Sequence, residues 1–276
     1  MLAGRARNVR GEMPFLEHLE ELRWRIFKAL GALVAGALIG FMLVQRFKVL
    51  DLIIAPVLPY LPDGRLAYFS PVTPFFFILK LSLLIGLILA FPIVLYQLWA
   101  FLSPALEKRE RRVIVPALYG GLVLFAGGVL MAYEVALPVS MRFFTGIQSE
   151  FLQAVLGADE YLAFAVRLLV AFGIIFELPV VILILSALGL VTPRFLREKR
   201  RHAIVISTIV ASLLSPGDVI VVTALMMIPL FLLYELGIWL SVLVTRDRTD
   251  EQADDDNPFS LLPAREPPEG AVDREN

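Results

Sequence analysis

Phe101-Leu102-Ser103-Pro104-Ala105-Leu106-Glu107-Lys108-Arg109-Glu110-Arg111-Arg112-Val113 is a short, strongly charged break between two long apolar runs. The run before it extends from Pro74 to Leu102 and is interrupted by Pro92; the run after it extends from Ile114 to Leu137. Both are continuous rather than alternating. Only helices and closed barrels can satisfy every backbone group in lipid, and strands of a barrel alternate, so the runs read as membrane-spanning helices. The break then lies on the face where basic residues collect. It also holds carboxylates inside its own basic cluster.

The composition agrees. The 276 residues are 58% hydrophobic and 18% charged, with a mean hydropathy of +0.78. Soluble domains run nearer 45–50% apolar and about 25% charged. The apolar excess sits in blocks separated by charged loops, the pattern of a polytopic membrane protein. A net charge of −1 gives no sign of nucleic acid as a partner. With no Cys and only His18 and His202, disulfides, thiolate nucleophiles and zinc-finger-like sites drop out. No metal or cofactor is expected. The N-terminus is charged and leads into an apolar run without a small-residue cleavage pattern, so that run is expected to be a retained helix.

Working outward, Phe15, Leu16, Leu19, Leu22 and Ile26 repeat at helical spacing, opposite Glu17, Glu20, Glu21, Arg23 and Arg25. This predicts an amphipathic helix on the membrane surface feeding a first span at 24–44. Glu21 with Arg25 and Glu20 with Arg23 are natural intrahelical pairs. The proline-rich stretch from Gln45 to Thr73 predicts a structured cap at the surface. Further spans are expected at 74–102, 114–137, 161–188, 203–214 and 219–244, with residues 138–160 as a loop on the far side. The third span is rich in glycine (Gly120, Gly121, Gly127, Gly128), which would let another helix approach closely. The fifth covers only about 18 Å, against a hydrocarbon core of about 30 Å. Residues 245–276 are acidic and Pro-rich and are expected to be a disordered tail.

Lys and Arg placement sets the orientation. One face collects Arg5, Arg7, Arg10, Arg23, Arg25 and Lys28, then Lys108 to Arg112, then Arg194 to Arg201, then Arg246 and Arg248. The other holds only Arg46, Lys48, Arg65 and Arg142 among the loops. Six spans with both termini cytoplasmic follow.

Glu177 falls near the middle of the fourth span, where a carboxylate costs roughly 2.5–3.5 kcal/mol on insertion scales. It must face protein or water, either as a polar site for a partner helix or as a structural hydrogen-bonding group. Glu134 and Glu235 lie nearer span ends and can reach the headgroups. Pro92, Pro179 and Pro229 each fall inside a span and are expected to break it, bending three helices toward a concave wall. From chemistry alone, Glu21 and Glu110 each neutralise their own arginine neighbours. Taken together on one cytoplasmic surface, they would suit a ligand bearing paired guanidinium groups.

Four stretches carry a resemblance: His18-Leu19-Glu20-Glu21-Leu22-Arg23; Tyr96 to Phe101 with Pro104-Ala105-Leu106 and Glu110-Arg111-Arg112; Phe172 to Pro179; and Ser215-Pro216-Gly217-Asp218-Val219. In this order and spacing they resemble TatC, the multispanning subunit of the twin-arginine protein translocase, over about Phe15 to Val244. The resemblance implies an all-α bundle of six transmembrane helices in a concave, glove-like shape, the fifth and sixth short, in the cytoplasmic (inner) membrane. It implies a receptor for twin-arginine signal peptides of folded proteins, not an enzyme. Glu21, Arg23, Glu110 and Arg111 would form the signal-peptide site, and Glu177 an intramembrane polar site. Pro56, Gln97, Pro104 and Asp218 would serve partners or structure. The implied partners are single-span TatA- and TatB-type subunits in a lipid bilayer, with transport driven by the proton-motive force; homo-oligomers are compatible with it. One departure is Val222, where the family often has a polar Gln, which bears on any partner contact there.

The competing reading is a proton-coupled secondary transporter of a small solute, with Glu177 as coupling residue and broken helices at the midplane. The absence of an internal repeat and the short fifth span oppose it. An intramembrane hydrolase lacks a Ser/His or paired Asp constellation within the spans.

Overall fold

The computed structural model describes residues 13–61, 64–102, 108–146, 155–214 and 220–255. The long helices are α1 (Met13–Arg46), α3 (Thr73–Leu102), α4 (Lys108–Met131), α6 (Ala158–Phe176) with α7 (Leu178–Ala187), and α10 (Ile220–Asp255). Shorter ones are α2 (Val49–Ile54), α5 (Leu137–Gly146), α8 (Pro193–Glu198) and α9 (Arg200–Leu214). Among the described residues, five helical stretches are long and apolar enough to cross a membrane: Glu17–Arg46, Thr73–Leu102, Val115–Phe144, Ala158–Ala187 and Met226–Thr245. The remaining expected pass is α9, whose 15 residues cover about 22 Å. The last pass is short only in its apolar part, 20 residues against 30 in each of the other four.

Lipid-facing and protein-facing sides are plain on α1. Ile26, Leu30, Val34 and Leu38 form an exposed stripe at helical spacing. The opposite side packs on α3 through Gly36, Gly40 and Gly86. A Cβ on Gly36 would stand 2.5 Å from the Gly86 carbonyl oxygen, so only glycine lets the two backbones come this close. In α4, Gly121 and Gly128 face neighbouring elements while Gly120 and Gly127 face open space. Half of the glycine-rich segment therefore does the expected packing. Its main partner is α6, where Gly173 in turn receives the Phe125 ring.

The far-side cap is built as expected. Tyr161 Oη donates to the Ile53 carbonyl at 2.6 Å and Tyr133 Oη to the Leu52 carbonyl at 2.6 Å. Both tyrosines thereby tie α2 down onto the spans. Ala67 and Gly157 form a parallel bridge. Below it, Asp159 accepts from Thr73 Oγ1 at 2.8 Å and pairs with Lys80 Nζ at 3.2 Å.

Three expectations need correcting. The third pass does not end before Pro138: after a π-turn at Ala132–Ala136 the helix continues as α5 to Gly146. Pro138 follows the widened turn, where the backbone ladder is already interrupted, so its missing N–H costs little. Pro92 and Pro229 sit inside α3 and α10 without ending them; only Pro179 coincides with a break, at Glu177, where it occupies the first turn of α7. Transmembrane helices tolerate proline because neighbouring groups re-satisfy the freed carbonyls. Finally, α10 runs through Thr245 to Asp255, so the first part of the expected disordered tail is helical.

On the basic face, α7, α8 and α10 are locked together. Ser186 and Ser241 hydroxyls bond at 2.7 Å while buried. Tyr234 Oη donates to the Leu196 carbonyl at 2.8 Å, and Thr192 caps α8 by accepting from Phe195 N–H. Arg200 Nη2 donates to Glu235 Oε2 at 2.7 Å. Glu235 thus reaches the start of α9 rather than a headgroup.

Candidate functional site

The foot of α1 meets the end of α3. His18 lies flat on Phe101, with ring centroids 4.4 Å apart and planes 9° from parallel. This stack joins the two sequence stretches that flank the charged connection. One turn along α1, Glu21 is gripped from its own helix: Arg25 Nε donates to Glu21 Oε1 at 3.0 Å and Nη2 to the same oxygen. The other oxygen, Oε2, lies 3.4 Å from His18 Nδ1. The chain has thus made the intrahelical Glu21–Arg25 pair and added an interhelical anchor beside it.

Arg23 is not part of this arrangement. Residues two apart on a helix point to different faces, and the Arg23 guanidinium lies over the Phe27 ring at 5.6 Å. Of the expected signal-peptide residues, Glu21 is therefore at the α1–α3 junction and Arg23 is turned away from it. Glu110 and Arg111 lie in the first turn of α4, but their side chains are outside the described residues, as are Pro104 and Asp218 altogether and the side chain of Val222. Gln97 is half-buried within α3, and Pro56 half-buried in the turn after α2.

The intramembrane position is held differently. Glu177 stands at the break between α6 and α7 and faces α4. A Cβ on Gly121 would be 2.8 Å from Glu177 Oε2, so the carboxyl occupies the space that a side chain there would take. Among the described residues, Glu177 Oε1 and Trp99 Nε1 are buried without a hydrogen-bond partner. Trp99 belongs to the cluster formed by Leu183, Ala187, Val244, Leu118 and Leu240. Pro92, Leu95, Tyr96, Trp99, Tyr119 and Leu122 help line a groove of about 320 Å³ between α3 and α4. Leu95 also reaches within 3.3 Å of the point a Gly121 Cβ would occupy, so the carboxyl lies just behind this groove.

Comparison with known proteins decides the family. The model for the Sec-independent protein translocase protein (TatC) matches residues 17–229. The chain belongs to the TatC family. It is 38% identical over 242 residues to the Sec-independent protein translocase protein TatC of Aquifex aeolicus, covering 87% of this chain and 99% of that one. Against the TatC of Escherichia coli strain K12 it is 38% identical over 236 residues, 85% and 90% of the two chains. A crystal structure of the twin arginine translocase receptor TatC superposes with a TM-score of 0.71 at 40% identity, covering 83% of this chain and 99% of that one. A second, in the detergent DDM, gives 0.72 at 38% identity. The resemblance carried by the four sequence stretches is thereby established, and with it the six-helix, glove-like fold of a multi-pass membrane protein.

Within this TatC fold, the contacts that sequence reasoning missed are those between distant elements. His18 and Phe101 were both inside quoted stretches, but nothing in either stretch says that they stack. The two tyrosines holding α2 had no signal beyond being tyrosines near span ends, where amphipathic rings commonly anchor.

Proposed function

We propose that this chain is the receptor subunit of a twin-arginine translocase in the inner membrane. It binds twin-arginine signal peptides of folded proteins at its cytoplasmic face. It then nucleates, with single-span TatA- and TatB-type subunits, a translocation site driven by the proton-motive force. The observation that carries the reading is the Glu21 carboxylate. It is set at the α1–α3 junction beside the His18–Phe101 stack, and the group it already holds is a guanidinium fork. A carboxylate in that geometry takes up arginine through charge-assisted, directional hydrogen bonds that lysine cannot reproduce. Glu110, opening α4 just past the charged connection, is the proposed second acid.

A photo-cross-linker at Glu20, beside Glu21, is expected to capture a twin-arginine precursor in membranes. Capture should weaken when both precursor arginines become lysines, and equal capture of the two precursors refutes the recognition role. Both termini are proposed to be cytoplasmic. A reporter active only in the periplasm, fused after Val244, should stay silent; activity overturns that orientation.

A further inference from the structure

We infer that Arg25 is the resident occupant of the signal-binding carboxylate, and that a twin-arginine peptide binds by exchanging its own guanidinium for that of Arg25 on Glu21. The inference rests on the receptor reading above and adds a residue that sets its affinity. Arg25 directs both Nε and Nη2 at one oxygen of Glu21, the contact an incoming arginine needs. The Arg25 side chain is the more covered of the two, 20% exposed against 32% for Glu21. The carboxylate is therefore reachable from solvent while its occupant is tucked against the helix. His18 faces the remaining oxygen from one turn below and is itself held by Phe101, so the carboxylate keeps a support when Arg25 leaves. Arg23 is engaged with Phe27 and does not compete. Once displaced, Arg25 has somewhere to go. It follows the exposed Trp24 at the start of the span, at the level where an arginine can reach up to anionic headgroups.

An internal competitor subtracts the same free energy from every ligand that needs the carboxylate. Arg25 therefore does not create the preference for arginine over lysine, which belongs to Glu21. It lowers all affinities together, so that a peptide offering only weak contacts falls below the level at which it is retained. An ion pair of this exposure sets the factor at about two- to fivefold.

The test uses the full chain in lipid nanodiscs and fluorescent synthetic signal peptides, one with paired arginines and one with paired lysines. Four proteins are compared: wild type, Glu21→Gln, Arg25→Gln and the double variant, with the melting temperature recorded for each. Arg25→Gln is expected to tighten binding of both peptides by about two- to fivefold, leaving their affinity ratio unchanged. Glu21→Gln is expected to weaken the arginine peptide, and the double variant to match Glu21→Gln. Arg25→Lys, which keeps the charge and loses the fork, should shift binding in the same direction by less, and carries the test if Arg25→Gln does not fold. If Glu21→Gln weakens binding while Arg25→Gln leaves it unchanged or weaker, the exchange is overturned and the receptor reading stands. A gain that persists in the double variant is bulk electrostatics and overturns the exchange. No effect of Glu21→Gln overturns the receptor reading and the exchange with it.

Discussion

Replacing Gly86 with alanine tests how α1 is held against α3. A Cβ on Gly86 would stand 2.5 Å from Ala37 Cα and 2.7 Å from the Gly36 carbonyl carbon. The obstacle is backbone, so no side chain can swing aside. Ordinary contact begins near 3.4 Å, so α1 and α3 must part by about 1 Å, losing close packing along the crossing. Overpacking of this kind costs about 1–3 kcal/mol, and a rigid obstacle places it near the top of that range. Alanine returns about 1 kcal/mol as the better helix former. The net loss is about 2 kcal/mol, or a melting temperature lower by about 4–8 °C. Gly31 is the control: it lies on the other helix of the crossing, α1, and has nothing within 4 Å of its would-be Cβ. Gly31→Ala keeps only the propensity gain and should raise the melting temperature by about 2 °C. Thermal unfolding of both variants in one detergent, followed by near-ultraviolet circular dichroism, gives the comparison. Opening the crossing should also separate His18 from Phe101, so Gly86→Ala is expected to lower signal-peptide binding in membranes. A Gly86→Ala protein as stable as wild type, or a Gly31→Ala protein equally damaged, refutes the reasoning.

Three other outcomes follow from the contacts described. Tyr161→Phe removes the hydrogen bond to Ile53 O and should cost about 1–2 kcal/mol, with faster amide exchange confined to α2 and its neighbours; unchanged exchange there would show that the tyrosine does not hold the cap. Glu177→Ala is expected to abolish or strongly reduce export while peptide binding persists, and Gly121→Ala, which pushes on a flexible carboxyl rather than on backbone, should reduce export with a melting shift of no more than about 2 °C; normal export in both would demote the site to structure. Glu235→Gln weakens a half-exposed pair with Arg200 and should cost no more than about 1 kcal/mol, a loss that shrinks as salt rises, checked by melting at two ionic strengths.

The passes themselves were legible because their apolar runs exceed what any soluble helix of the same length would carry, and the short α9 was legible from its length alone. What composition cannot give is the direction in which a residue points once two helices are packed. Gly120 and Gly121 are equivalent in the sequence, yet only Gly121 meets Glu177. Pro138 reads as a stop, but a π-turn ahead of it lets the helix continue. The segment after Val244 reads as a solvated tail because it is acidic and polar, yet residues through Asp255 are helical. Glu235 reads as a headgroup contact because its partner, Arg200, lies 35 residues away on another element.

The same limit shapes what could be read of the site. Glu21 was legible as an acid out of place in a basic surface, and its pairing with Arg25 was legible from spacing. What spacing could not give is the support beside the pair, which is interhelical. Phe101, at the end of α3, holds His18, and His18 stands against Glu21. Less than about two turns back along α3, Leu95 stands against Gly121, which also faces Glu177. One helix therefore reaches the surroundings of both acids: those of the exposed one through the His18–Phe101 stack at its end, those of the buried one through Leu95 against Gly121. A change in how α3 seats on α1 must alter the surroundings of Glu21, and a change in how it seats on α4 must alter those of Glu177. Because α3 is continuous from Leu95 to Phe101, it cannot do the first as a rigid rod without some displacement at the second. If the signal peptide docks at Glu21 as proposed, that geometry would give docking at the surface a mechanical route along α3 to the carboxyl inside the membrane.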